Sequence, residues 1–193
     1  MFSVYSITGA LSRTEFLHAA LSDMAHFTHF AATLRCLRCG SDSESNIQTY
    51  LLKERDFNWA QDYRVGDTEG IDGLDEFEPL HPWNGQTPLV LGVGDWYCKQ
   101  CHLSWQWAKV TVSISETSTG LIGSIKSIET LVPTKISDFE GVHLIEPDLA
   151  GLSGLTAAAW NALSIAQRCS AIAAGFRNWC IEVAHVDPSA IES

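Results

Sequence analysis

Two short stretches decide the fold of this chain: Cys36-Leu-Arg-Cys39-Gly40 and Cys98-Lys-Gln-Cys101-His102. Each is a C-x-x-C turn, which brings two thiolates close enough together to form one edge of a tetrahedron around zinc. Glycine after the second cysteine, as at Gly40, lets the backbone turn so that its N–H groups face sulfur. Two such turns, each preceded by a strand, are typical of a zinc ribbon. The sequence therefore predicts one structural zinc ion bound by Cys36, Cys39, Cys98 and Cys101.

The separation of the two pairs is unusual, and it leaves alternatives to zinc. Between Cys39 and Cys98 lie 58 residues, whereas about 15–20 are common in zinc sites of this type. A thioredoxin-like dithiol needs only one pair, at the start of a helix, and both pairs here lie between strand-like segments. C-type haem attachment at Cys98-x-x-Cys101-His102 needs export, as do two disulfides in a secreted protein. The other cysteines, Cys169 and Cys180, are predicted to be buried thiols.

Composition favours an acidic protein of the cytoplasm. The chain has 193 residues, with 12 Lys and Arg against 23 Asp and Glu, which gives a formal charge of −11. A protein that coats nucleic acid needs a dense basic face, so this charge disfavours that class and suits a basic partner. The sequence contains neither a signal-peptide pattern nor an uncharged apolar run long enough to span a membrane. We therefore expect a cytoplasmic protein that does not bind a membrane.

The predicted fold class is α+β, in a single domain over residues 1–193. We expect a zinc ribbon with an antiparallel β-hairpin sheet over about 27–132, an N-terminal helix and a long C-terminal helix. The N-terminal helix begins at a capping box, Ser12-Arg-Thr-Glu15. The hairpin combines the alternating stretch 104–114 with the stretch 121–132. The C-terminal helix, about 155–186, has one apolar stripe: Ala158, Ala162, Ile165, Cys169, Ile172, Phe176, Trp179 and Val183.

An acidic insertion lies between the two cysteine pairs. Residues 62–78 carry seven acids against one base, Arg64, and three glycines. This composition predicts a long solvated loop over 62–85. Its carboxylates are the candidate surface for a basic protein partner. Their negative charge would steer that partner towards the chain by electrostatic attraction. The candidate residues are Asp72, Asp75, Glu76 and Glu78.

Aromatic and basic residues near the cysteines support a second function. Trp105 and Trp107 alternate on a predicted strand, so both face one side and could stack with bases, or else pack against a helix. Arg35, Arg38 and Lys99 add a small basic patch. A nucleic-acid-associated accessory domain is therefore the main alternative to binding of a protein.

A hydrolytic enzyme is the third hypothesis. The chain has no phosphate-loop, H-E-x-x-H or G-x-S-x-G motif. His26, His29 and His81 are the histidines considered for catalysis or a second metal site, and His102 adjoins a predicted ligand. No residue is predicted to be catalytic, so we expect binding rather than an enzymatic reaction.

The cysteine pairs and the last helix together resemble a bacterial family of uncharacterised domains, in which a zinc ribbon precedes a helical segment. Its members occur alone or fused to restriction and other defence enzymes. The family's segment has an aromatic residue with alanine, a serine-proline-arginine turn, arginine, and leucine-glutamate. Trp160 with Ala162, Arg168, Arg177 and Ile181-Glu182 match it here, whereas the proline is absent and the predicted helix is continuous where the family breaks. The resemblance implies an accessory or interaction role without known catalytic residues.

Overall fold

The computed structural model describes residues 28–49, 51–52, 61–132 and 136–187, apart from the side chains of Asp95 and Ile136. The predicted N-terminal helix, which begins at Ser12-Arg-Thr-Glu15, lies outside these residues, as does His26. The described residues form two β-sheets and three α-helices. The mixed α+β class is therefore confirmed.

The first cysteine pair belongs to a three-stranded sheet with the order β2-β1-β3. Its strands are β1 (Thr28–Arg35), β2 (Asp42–Thr49) and β3 (Gln61–Tyr63). Strands β1 and β2 are antiparallel, with Arg35 opposite Asp42, and β3 runs parallel to β1. The cysteines therefore lie in the connection of a β-hairpin, which fixes the direction from which the chain enters and leaves the turn.

The second cysteine pair belongs to a six-stranded sheet with the order β4-β8-β7-β6-β9-β5. Its strands are β4 (Thr68–Gly70), β5 (Glu78–Pro79), β6 (Leu89–Trp96), β7 (Gln106–Thr117), β8 (Gly120–Thr130) and β9 (Leu144–Ile145). The predicted hairpin is confirmed, because β7 and β8 pair antiparallel over their length. Strand β9, which was not predicted, lies parallel to β6 and connects it to β5.

The acidic segment 62–85 is not the uninterrupted solvated loop that its composition predicts. It contains most of β3, all of β4 and β5, and a 3-10 helix over Leu74–Glu76. Tyr63, Phe77 and Leu80 are buried in the core. Burial of these apolar side chains stabilises the segment even though five of its seven carboxylates between residues 62 and 78 stay exposed.

The continuous helix predicted over about 155–186 is two helices, α2 (Ala157–Ala162) and α3 (Ile165–Glu182), which follow the short α1 (Pro147–Gly151). The chain breaks before α3 because Ser164 and Gln167 form a capping box. Gln167 N donates to Ser164 Oγ, and Ser164 N donates to Gln167 Oε1 at 2.9 Å. The break shifts the helical phase, so the predicted stripe is buried only within α3, at Cys169, Ile172, Phe176 and Trp179.

Helix α3 covers the large sheet through aromatic contacts. The ring of Trp107 on β7 lies edge-on to Phe176 and Trp179, with centroid distances of 5.6 and 5.1 Å. Such pairs add about 0.5–1.5 kcal/mol each beyond the burial of apolar area. Gly175 allows close packing on the turn after α1, because a Cβ there would lie 1.8 Å from the carbonyl oxygen of Leu152. The end of α3 lies near the first cysteine pair, where Arg38 donates to the carbonyl groups of Val183 and Ala184.

Candidate functional site

The first cysteine turn, residues 36–41, is here named the first knuckle. Cys36 N donates to the carbonyl oxygen of Ser41 at 2.9 Å, and Gly40 N donates to that of Cys36 at 2.9 Å. Gly40 has a φ of 68°, a left-handed conformation that glycine adopts without steric cost. The hydrogen bonds close the hairpin directly behind the two sulfur atoms.

The second cysteine turn, residues 98–103, is named the second knuckle and repeats this pattern. Cys98 N donates to the carbonyl oxygen of Leu103 at 2.8 Å, and His102 N donates to that of Cys98 at 2.9 Å. His102 takes the place that Gly40 has in the first knuckle, with a φ of 60°. Histidine therefore holds a conformation that is unfavourable for a residue with a Cβ.

The two knuckles bring all four sulfur atoms together. The Sγ atoms of Cys36, Cys39, Cys98 and Cys101 lie within 4.8 Å of one another. Across the knuckles, Cys36 Sγ is 3.5 Å from Cys101 Sγ, and Cys39 Sγ is 3.7 Å from Cys98 Sγ. A tetrahedron with Zn–S bonds of about 2.3 Å has edges of about 3.8 Å. The predicted quartet can therefore hold one metal ion without rearrangement of the backbone.

The sulfur atoms differ in their surroundings. Burial raises the pKa of the Cys36 thiol to about 12, and burial also raises the pKa of Cys101. Hydrogen bonds from Ser41 lower the pKa of Cys39, which is exposed, to about 6. Burial disfavours the thiolate of Cys36 in the absence of a cation, whereas a divalent ion at the centre of the quartet offsets that cost.

Gln106 connects the two knuckles, and the sequence analysis did not identify it. Its side chain is fully buried. Leu37 N of the first knuckle donates to Gln106 Oε1 at 3.0 Å, and Gln106 Nε2 donates to the Leu103 carbonyl of the second at 3.2 Å. One amide thus satisfies a backbone group on each side. The only sequence signal was a polar residue between two tryptophans at the start of an apolar strand.

Arg38 connects the first knuckle to the end of α3. Its Nε donates to the Ala184 carbonyl at 2.7 Å, and its Nη2 donates to the Val183 carbonyl. Cations stabilise a helix C-terminus because the last carbonyl groups have no partner within the helix. This predicted member of a basic patch is therefore a structural link between the knuckle and the helix.

The other predicted basic and aromatic residues differ in their exposure. Arg35 and Lys99 have exposed side chains. Trp107 is buried under α3, whereas Trp105 precedes β7 and is 50% exposed. The expected pair of tryptophans on one face is therefore corrected: the backbone of Trp105 has a φ of 62°, which ends the strand alternation there.

A cleft of about 460 Å³ opens beside the second knuckle, and Trp105 lines it. Three carboxylates from two parts of the chain line it as well: Glu76, Glu146 and Asp148. Glu146 is fixed against the cleft wall, because its Oε2 accepts from Gly94 N at 2.8 Å. The amides of Asn46 and Gln48, on the solvent face of β2, and the imidazole of His29 on β1 complete the polar side. This group is named the acidic cleft.

The predicted acidic candidates lie at the surface but only one enters the cleft. Asp72, Asp75 and Glu76 have exposed side chains, and that of Glu78 is half-buried on β5. Glu76 alone of the four lines the acidic cleft. Sequence reasoning missed Glu146 and Asp148, which follow the unpredicted strand β9.

The described histidines that were considered for catalysis or metal binding contact residues of the fold and do not form a second metal cluster. His29, on the central strand β1 of the small sheet, has its Nδ1 3.3 Å from Asp62 Oδ1 on β3 and also lines the acidic cleft. His81 Nε2 lies 3.6 Å from Cys169 Sγ, whose pKa is raised by burial. Burial lowers the pKa of His143, whose Nδ1 accepts from Val90 N at 3.0 Å. Over these residues the cysteine quartet is the one group of His, Cys, Asp and Glu that could hold a metal ion.

No family model, curated protein or solved structure matches this chain. Across the helices that the structure describes, none is long and apolar enough to cross a bilayer.

Proposed function

We propose that this chain is a non-enzymatic, zinc-stabilised binding protein that engages a basic protein partner. The zinc ion would join the two knuckles into a zinc ribbon, and the acidic surface would attract the partner. The composition of the acidic cleft carries this proposal. A half-exposed tryptophan, the kind of side chain that dominates binding energy at interfaces, shares the cleft with three carboxylates.

Zinc suits the quartet by donor type, number and spacing. Thiolates are soft ligands, and four of them in tetrahedral geometry are typical of structural zinc sites. Such a site is closed, because protein ligands fill all four positions and none remains for water or substrate. A closed centre supports a role in holding the two hairpins together and argues for binding rather than metal-assisted hydrolysis.

The nucleic-acid alternative has less support. It relied on stacking by Trp105 and Trp107 and on three cations, yet Trp107 is buried and Arg38 is bonded to the end of α3. The remaining aromatic residue, Trp105, lies among carboxylates that would repel phosphate. The formal charge of −11 acts in the same direction at longer range.

Bacterial or phage defence is the proposed setting, as the resemblance to the defence-associated family implies. Two features support the resemblance. The break before Ser164 stands where that family has its serine turn, and the guanidinium of Arg168 lies 5.2 Å from the ring centroid of Trp160. Two matched residues thus contact each other. An acidic antagonist or accessory factor that occupies a basic toxin or nuclease is the corresponding role.

The test compares two labelled probes by fluorescence anisotropy: a peptide rich in arginine and lysine, and random duplex DNA. We expect salt-dependent binding of the peptide and no measurable binding of the DNA at physiological salt. Neutralising Asp72, Asp75, Glu76 and Glu78 to Asn or Gln should slow association of the peptide, more strongly at low salt, because screening weakens steering.

A matched control separates this surface from net charge. Neutralising Glu116, Glu129, Glu140 and Glu182, which are exposed elsewhere, changes the charge equally. The control should slow association less. An equal effect would reduce the proposal to non-specific attraction, and DNA binding with a Kd of about 10⁻⁴ to 10⁻⁶ M would replace the protein-partner proposal with the nucleic-acid one.

A further inference from the structure

We propose that the acidic cleft binds the guanidinium group of an arginine side chain on the basic partner. This inference deepens the proposed function and rests on it, because it assigns the recognition of the partner to one site. The cleft combines an exposed aromatic ring, three carboxylates, two amides and the imidazole of His29 in about 460 Å³. That set of groups matches a planar cation with several N–H donors better than any other common side chain.

Trp105 provides the aromatic surface of the site. Half of this residue is exposed. Its φ of 62° is an outlier for a bulky residue, and such conformations cluster at binding sites, where the surrounding structure enforces them. A guanidinium stacks on the face of tryptophan through cation–π attraction, and tryptophan is the strongest of the aromatic residues in this respect.

The carboxylates provide charge and hydrogen-bond acceptors. Glu76 comes from the 3-10 helix, whereas Glu146 and Asp148 lie at the start of α1, so two separate elements supply the acids. The bond from Gly94 N holds Glu146 in one position, which reduces the entropy that binding must cost. A fixed carboxylate is a good partner for arginine, which can donate two parallel hydrogen bonds to it.

The charge of the lining selects against anions. The described lining residues include no lysine or arginine, and their one imidazole, that of His29, has its Nδ1 3.3 Å from Asp62 Oδ1. The amide oxygens of Asn46 and Gln48 are further acceptors for N–H donors. The chemistry of the lining therefore favours a cation with many donors over a phosphate or a carboxylate.

The experiment is an NMR titration that follows the indole Nε1–H resonance of Trp105 in ¹⁵N-labelled, metal-loaded protein. The resonance is assigned by comparison with Trp105→Phe. The probe is arginine with acetylated and amidated ends, and its neutral control is the citrulline counterpart, which has almost the same shape. The arginine probe should shift the resonance saturably and the citrulline probe should not.

Matched variants locate the site. Glu76→Gln removes a charge inside the cleft and Asp75→Asn removes one from the exposed neighbour outside it. Glu76→Gln should weaken binding of the arginine probe about threefold, with a clearly smaller effect of Asp75→Asn. Trp105→Leu should also weaken binding of the arginine probe about threefold, whereas Trp105→Phe should weaken it less. Because both variants lack the indole of Trp105, their binding is followed through other resonances that shift.

The outcomes separate this inference from the proposed function. One outcome is that the basic peptide binds while Glu76→Gln and Asp75→Asn weaken binding of the arginine probe equally. In that case the cleft is not the site, although the proposed function stands. If the blocked arginine binds in the cleft but the basic peptide does not bind, the proposed function fails and the site is kept. Equal binding of the lysine counterpart would overturn the assignment to guanidinium. Binding that requires free α-amino and α-carboxyl groups would identify a free amino acid instead and overturn the side-chain proposal.

Discussion

The two knuckles have the same backbone pattern and opposite surroundings. The first knuckle is tied inward, because Arg38 donates to the carbonyl groups at the end of α3 and glycine provides the left-handed residue. The second knuckle faces outward: Tyr97 and Trp105, which flank it, are 45% and 50% exposed. His102 replaces the glycine there, and its Nδ1 contacts the hydroxyl group of Tyr97.

The difference suggests a division of roles: the first knuckle anchors the cysteine quartet to α3, and the second knuckle presents residues for binding. A metal ion shared by the knuckles would transmit the rigidity of the anchored side to the exposed side. The residues beside the second knuckle could then hold Trp105 in the acidic cleft without support from a large core of their own. Four predictions test this division, from the largest expected effect to the smallest.

Loss of one ligand should affect both knuckles together. We expect Cys98→Ser to lose the metal and to lower the free energy of unfolding by more than about 3 kcal/mol, because a site of three thiolates binds far more weakly than one of four. Zinc content by elemental analysis and denaturant unfolding measure these changes. Cys180→Ser, at a buried thiol outside the quartet, should leave zinc content unchanged. If Cys98→Ser retains its zinc, the quartet is not the binding site.

Removal of the amide between the knuckles should have the next largest effect. Gln106→Leu keeps the volume but leaves Leu37 N without its partner, and the Leu103 carbonyl keeps only the bond from Cys98 N. We expect a loss of about 2–3 kcal/mol, since the unsatisfied Leu37 N costs about 1–3 kcal/mol and the second lost bond adds about 0.5–1.5 kcal/mol. Gln100→Leu, at an exposed position of the second knuckle, is the control and should change stability little. Equal effects in chemical denaturation would contradict a bridging role for Gln106.

The two basic side chains should differ sharply although they carry the same charge. Arg38→Gln should lower the free energy of unfolding by about 2 kcal/mol, because hydrogen bonds from charged groups contribute about 1.5–3 kcal/mol. Lys99→Gln should stay within about 0.5 kcal/mol of the parent, as surface substitutions usually do. Thermal and urea unfolding distinguish them. A stable Arg38→Gln would mean that the first knuckle does not depend on α3.

The smallest effect concerns the left-handed residues. Gly40→Ala should cost about 1 kcal/mol through the positive φ alone, since its Cβ would meet no atom closer than 3.7 Å. His102→Gly should relieve the same strain in the second knuckle and should not lower stability by more than about 0.5 kcal/mol. If His102→Gly is instead strongly destabilising, the contact with Tyr97 matters more to the fold than the backbone strain.

Local patterns predicted the parts of this molecule that depend on neighbouring residues. The C-x-x-C pairs, the β7–β8 hairpin and the buried stripe from Cys169 to Trp179 all have signals within one stretch of chain. The capping box at Ser164 was also present as a local signal, but the continuous apolar spacing across it outweighed it. The helix break was therefore readable from the sequence and was missed.

Contacts between distant segments had no such signal. Arg38 meets Val183 and Ala184 across about 145 residues, and no periodicity predicts that meeting. The acidic cleft likewise combines six separate stretches of chain, and among its lining residues Glu76, Trp105 and His29 were candidates, each for a different function. The composition of segment 62–85 predicted a solvated loop because its acids outnumber the three residues that are buried in the core, Tyr63, Phe77 and Leu80.

The metal content of the protein tests the central claim most directly. Protein purified without chelator is analysed for metals and then by X-ray absorption at the zinc edge. We predict one zinc per chain with four sulfur neighbours at about 2.3 Å. A zinc content near zero, a Soret band from attached haem, or a first shell of nitrogen and oxygen would contradict the account of one ion that joins the two knuckles.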